Sequence, residues 1–195
     1  QITNGQNGVA DFAVLSGVGI LGGSMLRDFA IVATAYGARL SDLKASGFAG
    51  MFSLVTGVVL SFSLGAIIAV LFGYDDPISI TTIGAGSVTF VVGPVTGSAI
   101  GASSEVIALS IAVGLVKSIL VMTVTPIVAK KIGLDNPRSA IVFGGLMGTN
   151  SGVAAGLAAV DPKLVPYGAM TATFYTALGC LIVPSVLFIL IDLLF

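Results

Sequence analysis

Long stretches without one charged side chain alternate with short clusters of charge along this chain. The uncharged runs cover 12–26, 29–38, 45–74, 77–104, 106–116, 118–129, 139–160 and 164–191. As a helix, a segment needs about 20 apolar residues to cross the roughly 30 Å of hydrocarbon in a bilayer. Residues 45–72 and 164–191 meet that length. Residues 105–129 meet it if Lys117 faces protein or a cavity instead of lipid. The pattern therefore predicts an all-α polytopic membrane protein with three long transmembrane helices.

Segments 12–38, 79–101 and 140–160 are also hydrophobic, but Gly, Ser and Thr crowd them. The second contains ITTIGAGSVTFVVGPVTGSAIG, and the third reads AIVFGGLMGTNSGVAAGLAAV. A lipid-facing helix has little use for a Gly-Pro or Thr-Asn-Ser centre. A broken helix or a re-entrant hairpin does, provided the freed backbone groups face protein or water. The competing reading is an unbroken helix with a small-residue packing face. Arg27-Asp28 interrupts the first of these segments.

Composition narrows the class. Hydrophobic residues make up 56% and charged residues 9%, against about 25% charged in soluble domains. Eight basic and nine acidic side chains give a net charge of −1 and no basic face for nucleic acid. There is no histidine, and Cys180 is the single cysteine. That removes histidine acid–base chemistry, a thiolate zinc site and a disulfide scaffold. With no nucleophile elbow and no carboxylate pair either, an enzyme is not expected.

The few charges suggest a topology. Basic residues occupy three connections: Arg39 and Lys44; Lys130, Lys131 and Arg138; and Lys163. The connection at 73–77 is acidic, with Asp75 and Asp76. If 79–101 and 140–160 each dip in and return, all the basic connections share one side. The positive-inside rule makes that side cytoplasmic. A faint repeat fits this picture: Gly93-x3-Gly97-x3-Gly101 corresponds to Gly148-x3-Gly152-x3-Gly156, giving possible repeat units 79–129 and 140–191 of opposite orientation. Inverted repeats of this sort place substrate where two discontinuous segments meet. A second register pairs Gly22-Gly23-x-Met25 with Gly144-Gly145-x-Met147.

Turn chemistry marks the joints. Asp75-Asp76-Pro77 is a turn followed by a helix start, Gly133 to Pro137 closes one helix and opens another, and Asp161 is an N-cap candidate. Pro126 and Pro184 should end or kink their helices. Glu105 opens a helix that Ser103 or Ser104 can cap, a structural role that suits the helix dipole.

Candidate binding residues lie at the polar centres and among the few charges at membrane depth. For an anionic substrate they are Arg27, Thr96, Gly97, Ser98, Lys117, Thr149, Asn150, Ser151 and Gly152. For a cation such as sodium they are Asp28, Thr89, Gly93, Thr96, Gly148 and Asn150. Free N–H groups at a helix start suit an anion. Carbonyl and hydroxyl oxygens suit a hard cation. Lys117 could attract a carboxylate, pair with Asp28, or snorkel to an interface. Thr81, Thr82, Ser87, Thr171, Thr173 and Tyr175 are weaker candidates that can instead serve internal hydrogen bonding.

Three blocks carry a resemblance: GGSMLRDFAIVATAYG at 22–37, ITTIGAGSVTFVVGPVTGSAIGASSEVIALSIAVGLVKSILVM at 80–122, and GLDNPRSAIVFGGLMGTNSGVAAGLAAVDPKLVPYGAMTATFYTALGC at 133–180. Together they span almost the whole chain, which resembles the MadM subunit family of the bacterial malonate:sodium symporter. The resemblance implies sodium-coupled import of malonate across the inner membrane, by alternating access, with a smaller membrane subunit, MadL, as partner. It also implies N-terminal membrane sequence ahead of Gln1. The rival readings are an ion channel with re-entrant filter segments and a structural membrane subunit. No cofactor is expected beyond sodium as the coupling ion.

Overall fold

The structure is a computed structural model, and it describes residues 47–195. Arg27, Asp28, Arg39, Lys44 and the whole segment 12–38 lie outside the described residues. The described chain is helical: α1 (Gly47–Leu71), α2 (Pro77–Val88), α3 (Val92–Ile100), α4 (Ser104–Val128), α5 (Pro137–Met147), α6 (Asn150–Ala158), a 3-10 turn (Pro162–Leu164), α7 (Val165–Ile182), a π-helical turn (Val183–Leu187) and α8 (Phe188–Asp192).

Three helical stretches are long and apolar enough to cross a membrane: Gly47–Leu71, Ser104–Val128 and Pro162–Asp192. They match the three expected from the uncharged runs. Large apolar side chains stand exposed along them, including Phe52 and Leu64 on α1, Val116 and Ile119 on α4, and Leu181 and Ile189 near the end. In water such a surface would be prohibitive, whereas hydrocarbon accepts it.

Local chemistry explains where the helices start and stop. Asp76 accepts a hydrogen bond from the Ser79 amide at 2.7 Å, and Pro77 fills the first helical position. Asn136 does the same for Ser139 at 3.0 Å ahead of Pro137. Ser103 caps α4 through the Val106 amide, with Glu105 in the first turn. Asp161 accepts from the Lys163 amide at 2.9 Å and opens the 3-10 turn. Pro126 sits in the last turn of α4, and Pro184 lies inside the π turn.

Close glycine contacts fix the directions of the helices. In α2 and α3, Gly86 lies against Gly93 and Thr82 against Gly97, so the two helices fold back on each other as an antiparallel hairpin. Ser87 of α2 donates to the Ser61 carbonyl of α1 while Gly84 lies against Gly65, so this pair is also antiparallel. Gly86 packs on Ser110 and Phe90 on Gly114, so α2 runs parallel to α4. Gly152 meets Ser118 and Val121, and Gly156 meets Thr125, so α6 is likewise parallel to α4. Helix α7 runs alongside α5, with Gly144 beside Gly168 and Gly148 beside Tyr175. It runs against α6, with Asn150 beside Thr173 and Leu157 beside Gly168. Helices α5 and α6 therefore also reverse direction at their break.

These directions sort the charges. Lys130, Lys131, Arg138 and Lys163 fall at one end of the bundle. Asp75, Asp76 and Glu105 fall at the other, where the described residues place no basic side chain.

One expected boundary is corrected. Gly93-Pro94-Val95-Thr96-Gly97-Ser98 is not the break: it lies within α3. The break is Thr89-Phe90-Val91, just before it. Pro94 occupies the first turn of α3, where a missing N–H costs no intrahelical bond. In the second segment the break falls at Gly148-Thr149, inside the polar centre read from the sequence.

Candidate functional site

The two breaks are joined through one turn of α4. Lys117 lies near the middle of that helix, half-buried, and its ammonium does not snorkel to an interface. It donates to the Val88 carbonyl at 2.9 Å, to Ser61 Oγ at 3.0 Å and to the Tyr175 hydroxyl at 3.3 Å. Val88 is the last residue of α2, so the charge sits against the negative end of a helix dipole at the first break. The ammonium also lies 5.2 Å from the centre of the Tyr175 ring, within cation–π reach. None of these partners is a carboxylate.

The next residue, Ser118, reaches the second break. Its hydroxyl is hydrogen-bonded to Thr149 Oγ1, and both side chains are buried. Tyr175 closes the link. Its hydroxyl donates to the Gly57 carbonyl at 3.1 Å, and its ring lies directly over Gly148. Gly148 has φ +69°, a left-handed backbone that ends α5, and a Cβ there would enter the ring. Glycine is thus required twice over at this point.

Helix α6 begins with Asn150, and no side chain caps it. The first amides of a helix have no intrahelical acceptor, so this start is available to an anion. The Asn150 side chain donates to Thr173 Oγ1 at 2.9 Å, whose own proton goes back to the Ala169 carbonyl at 2.9 Å. Thr89 is spent differently: its Oγ1 accepts from the Val91 and Val92 amides at 3.3 and 3.0 Å and so caps α3.

The other sequence candidates divide clearly. Lys117, Thr149, Asn150 and Gly148 converge on the joined breaks. Gly93 and Gly97 serve close packing within the hairpin, Gly93 against Gly86 and Ser110, Gly97 against Thr82 and Ile107. Gly152 packs on α4. Ser98 and Ser151 are exposed. Thr96 is fully buried in α3. Thr82, Ser87 and Thr171 bond to backbone carbonyls. Among the described residues no His, Cys, Asp and Glu group could hold a metal ion.

Ser61 was missed by sequence reasoning. It lies inside the charge-free run 45–74, and nothing around it signals a partner 56 residues away. Tyr175 ranked only as a weak candidate, although it touches Lys117 and Gly148 together.

An apolar groove lies elsewhere. A groove of about 1040 Å³ runs between α4 and α5, lined mainly by apolar residues such as Leu120, Val124 and Phe143, with Arg138 toward one end. It holds no buried charge at membrane depth, so the chemistry of a charged solute points to the joined breaks instead.

Among known families, the model described as malonate/sodium symporter MadM subunit matches residues 1–195. No match was found among curated proteins or among solved structures.

Proposed function

The chain belongs to the malonate/sodium symporter MadM subunit family, and from that premise we propose that Lys117 and the start of α6 receive malonate between the two helix breaks. The protein is a transporter subunit, a multi-pass protein of the bacterial inner membrane that serves secondary transport of malonate coupled to sodium.

Malonate is a compact dianion at neutral pH. One carboxylate takes a proton donor from Lys117, whose ammonium has no acidic partner among the described residues. The other takes the open amides of Asn150, Ser151 and Gly152. Two charges that are costly in hydrocarbon then compensate each other. The observation that carries this reading is the adjacency of Lys117 and Ser118: one is bonded to Val88 at the first break, the other to Thr149 at the second.

In the full reading, α2–α3 and α5–α6 are re-entrant hairpins. Each is followed by a long helix, and the two units form an inverted repeat around the site. Antiparallel α2 and α3, the reversal between α5 and α6, and the matching Asp76-Pro77 and Asn136-Pro137 starts support this. Transport follows by alternating access, with malonate and sodium crossing together. The smaller MadL subunit completes the working complex.

The test is reconstitution of both subunits in proteoliposomes with radiolabelled malonate, varying sodium and proton gradients independently. Lys117→Ala should weaken apparent malonate affinity about tenfold or more, in keeping with loss of a charge-assisted hydrogen bond. Lys117→Arg should retain part of it. Wild-type affinity in Lys117→Ala would refute the assignment. Saturable sodium-dependent uptake separates the carrier from a channel.

A further inference from the structure

We propose that the α2–α3 hairpin holds the coupling sodium through the hydroxyl oxygens of Thr81 and Thr96, on the face it turns toward the π turn at Pro184. The proposal rests on the sodium-coupled transport stated above and adds where the ion sits.

Both side chains are fully buried, and neither hydroxyl has a hydrogen-bond partner. That sets them apart. Every other buried serine or threonine among the described residues has a partner. Most bond one turn back within their own helix, as Thr82 does to Ile78 at 2.7 Å and Thr171 to Tyr167 at 3.0 Å. A buried threonine in a helix has that bond within easy reach. Two hydroxyls that forgo it, in one short hairpin, leave their oxygens for something else. A buried unpartnered polar group is costly, and a bound cation would remove that cost.

Their placement sets them on one face of the hairpin. Thr81 stands one helical turn before Ala85 and two before Val88, on the same face. Thr96 stands one turn beyond Val92. Ala85, Val88 and Val92 belong to one cluster with Val183 and Leu187 of the π turn. The antiparallel pairing of Thr82 with Gly97 sets the two threonines at similar depth on the two arms. Pro184 has no N–H for the Cys180 carbonyl one turn back, and Cys180 packs against the same cluster. π-helical turns recur at functional sites for this sort of reason.

The donor set selects the ligand class. Neutral hydroxyl and carbonyl oxygens, with no carboxylate, suit a hard monovalent cation and not a transition metal. The position also separates the ion from malonate: Val88 lies between Thr81 and the Lys117 ammonium.

Two measurements on the complex of both subunits test this. In the first, the purified complex is melted without malonate in NaCl or in KCl at equal ionic strength. Wild type should melt higher in NaCl, because a ligand of the folded state stabilises it. Thr81→Val and Thr96→Val should lose that sodium-specific rise, and Thr96→Ser should keep it. Valine removes an unpartnered hydroxyl at similar volume, so the variants should fold at least as well in KCl. In the second, sodium-dependent uptake in proteoliposomes should need about tenfold more sodium for half-saturation in either valine variant.

A sodium-specific rise that persists undiminished in both valine variants overturns the site, as does its absence from wild type. Unchanged half-saturating sodium also overturns it. A loss of malonate affinity at saturating sodium, with the sodium response intact, would assign the threonines to the substrate and refute the proposal. The melts omit malonate, so their outcome is independent of the Lys117 substitutions: either reading can fail while the other stands.

Discussion

At the scale of single residues, Gly148 and Lys117 set the terms of the site. Alanine at position 148 meets two obstacles, a left-handed backbone that costs about 1–2 kcal/mol for a side-chain-bearing residue and the Tyr175 ring. Gly148→Ala should therefore destabilise the protein and abolish uptake. Tyr175 is itself fully buried, so Tyr175→Ala alone should cost about 3–5 kcal/mol in a thermal melt, and the pair Gly148→Ala with Tyr175→Ala should cost less than the sum of the two, because the clash with the ring is gone. Tyr175→Phe keeps the ring but loses both the bond to Gly57 and the one accepted from Lys117, so it should cost about 1–3 kcal/mol in the same melt. Lys117 was legible as a charge flanked by apolar residues on both sides, with the interior and an interface equally open to it. Its partners were not: a carbonyl at the end of another helix and a serine in an unbroken apolar run leave no trace in one sequence.

At the scale of elements, the helix starts were the most readable part. Asp76-Pro77 and Asn136-Pro137 combine an oxygen that caps with a proline that fits the first turn. Replacing Asp76 or Asn136 by alanine should each cost about 1 kcal/mol. Hydrogen exchange should show the loss first at the opening amides of α2 or α5. The first break was harder to place. Glycine and proline drew attention to Gly93-Pro94, yet proline is harmless in a first turn. The actual reversal depends on the Thr89 hydroxyl taking the Val91 and Val92 amides. A threonine among valines looks like ordinary strand or helix sequence, so that local bond was invisible until the fold was known. Gly148-Thr149 was easier, because a glycine beside consecutive polar residues is itself a stop signal in an apolar run.

At the scale of the whole molecule, the sorting of charge between the two ends was foreseen from the loops, and the helix directions agree with it. The basic end should face the cytoplasm. In a Cys180→Ala background, a cysteine at position 75 should react with an impermeant thiol reagent in intact cells, and one at position 163 should not. The reverse pattern would invert the topology. Lys117, whose ammonium meets no carboxylate among the described residues, has an electrical consequence. A carrier holding one dianion and one sodium ion beside Lys117 is neutral overall at that depth, whereas the empty carrier keeps a full positive charge there. If the lysine crosses the field during the cycle, voltage acts on the unloaded return stroke and leaves the loaded one nearly untouched, at about 2.3 kcal/mol per charge for each 100 mV. An interior-negative potential would then slow resetting, and turnover would respond to membrane energisation at the unloaded stroke, in keeping with the single negative charge that one dianion and one sodium ion carry inward per cycle.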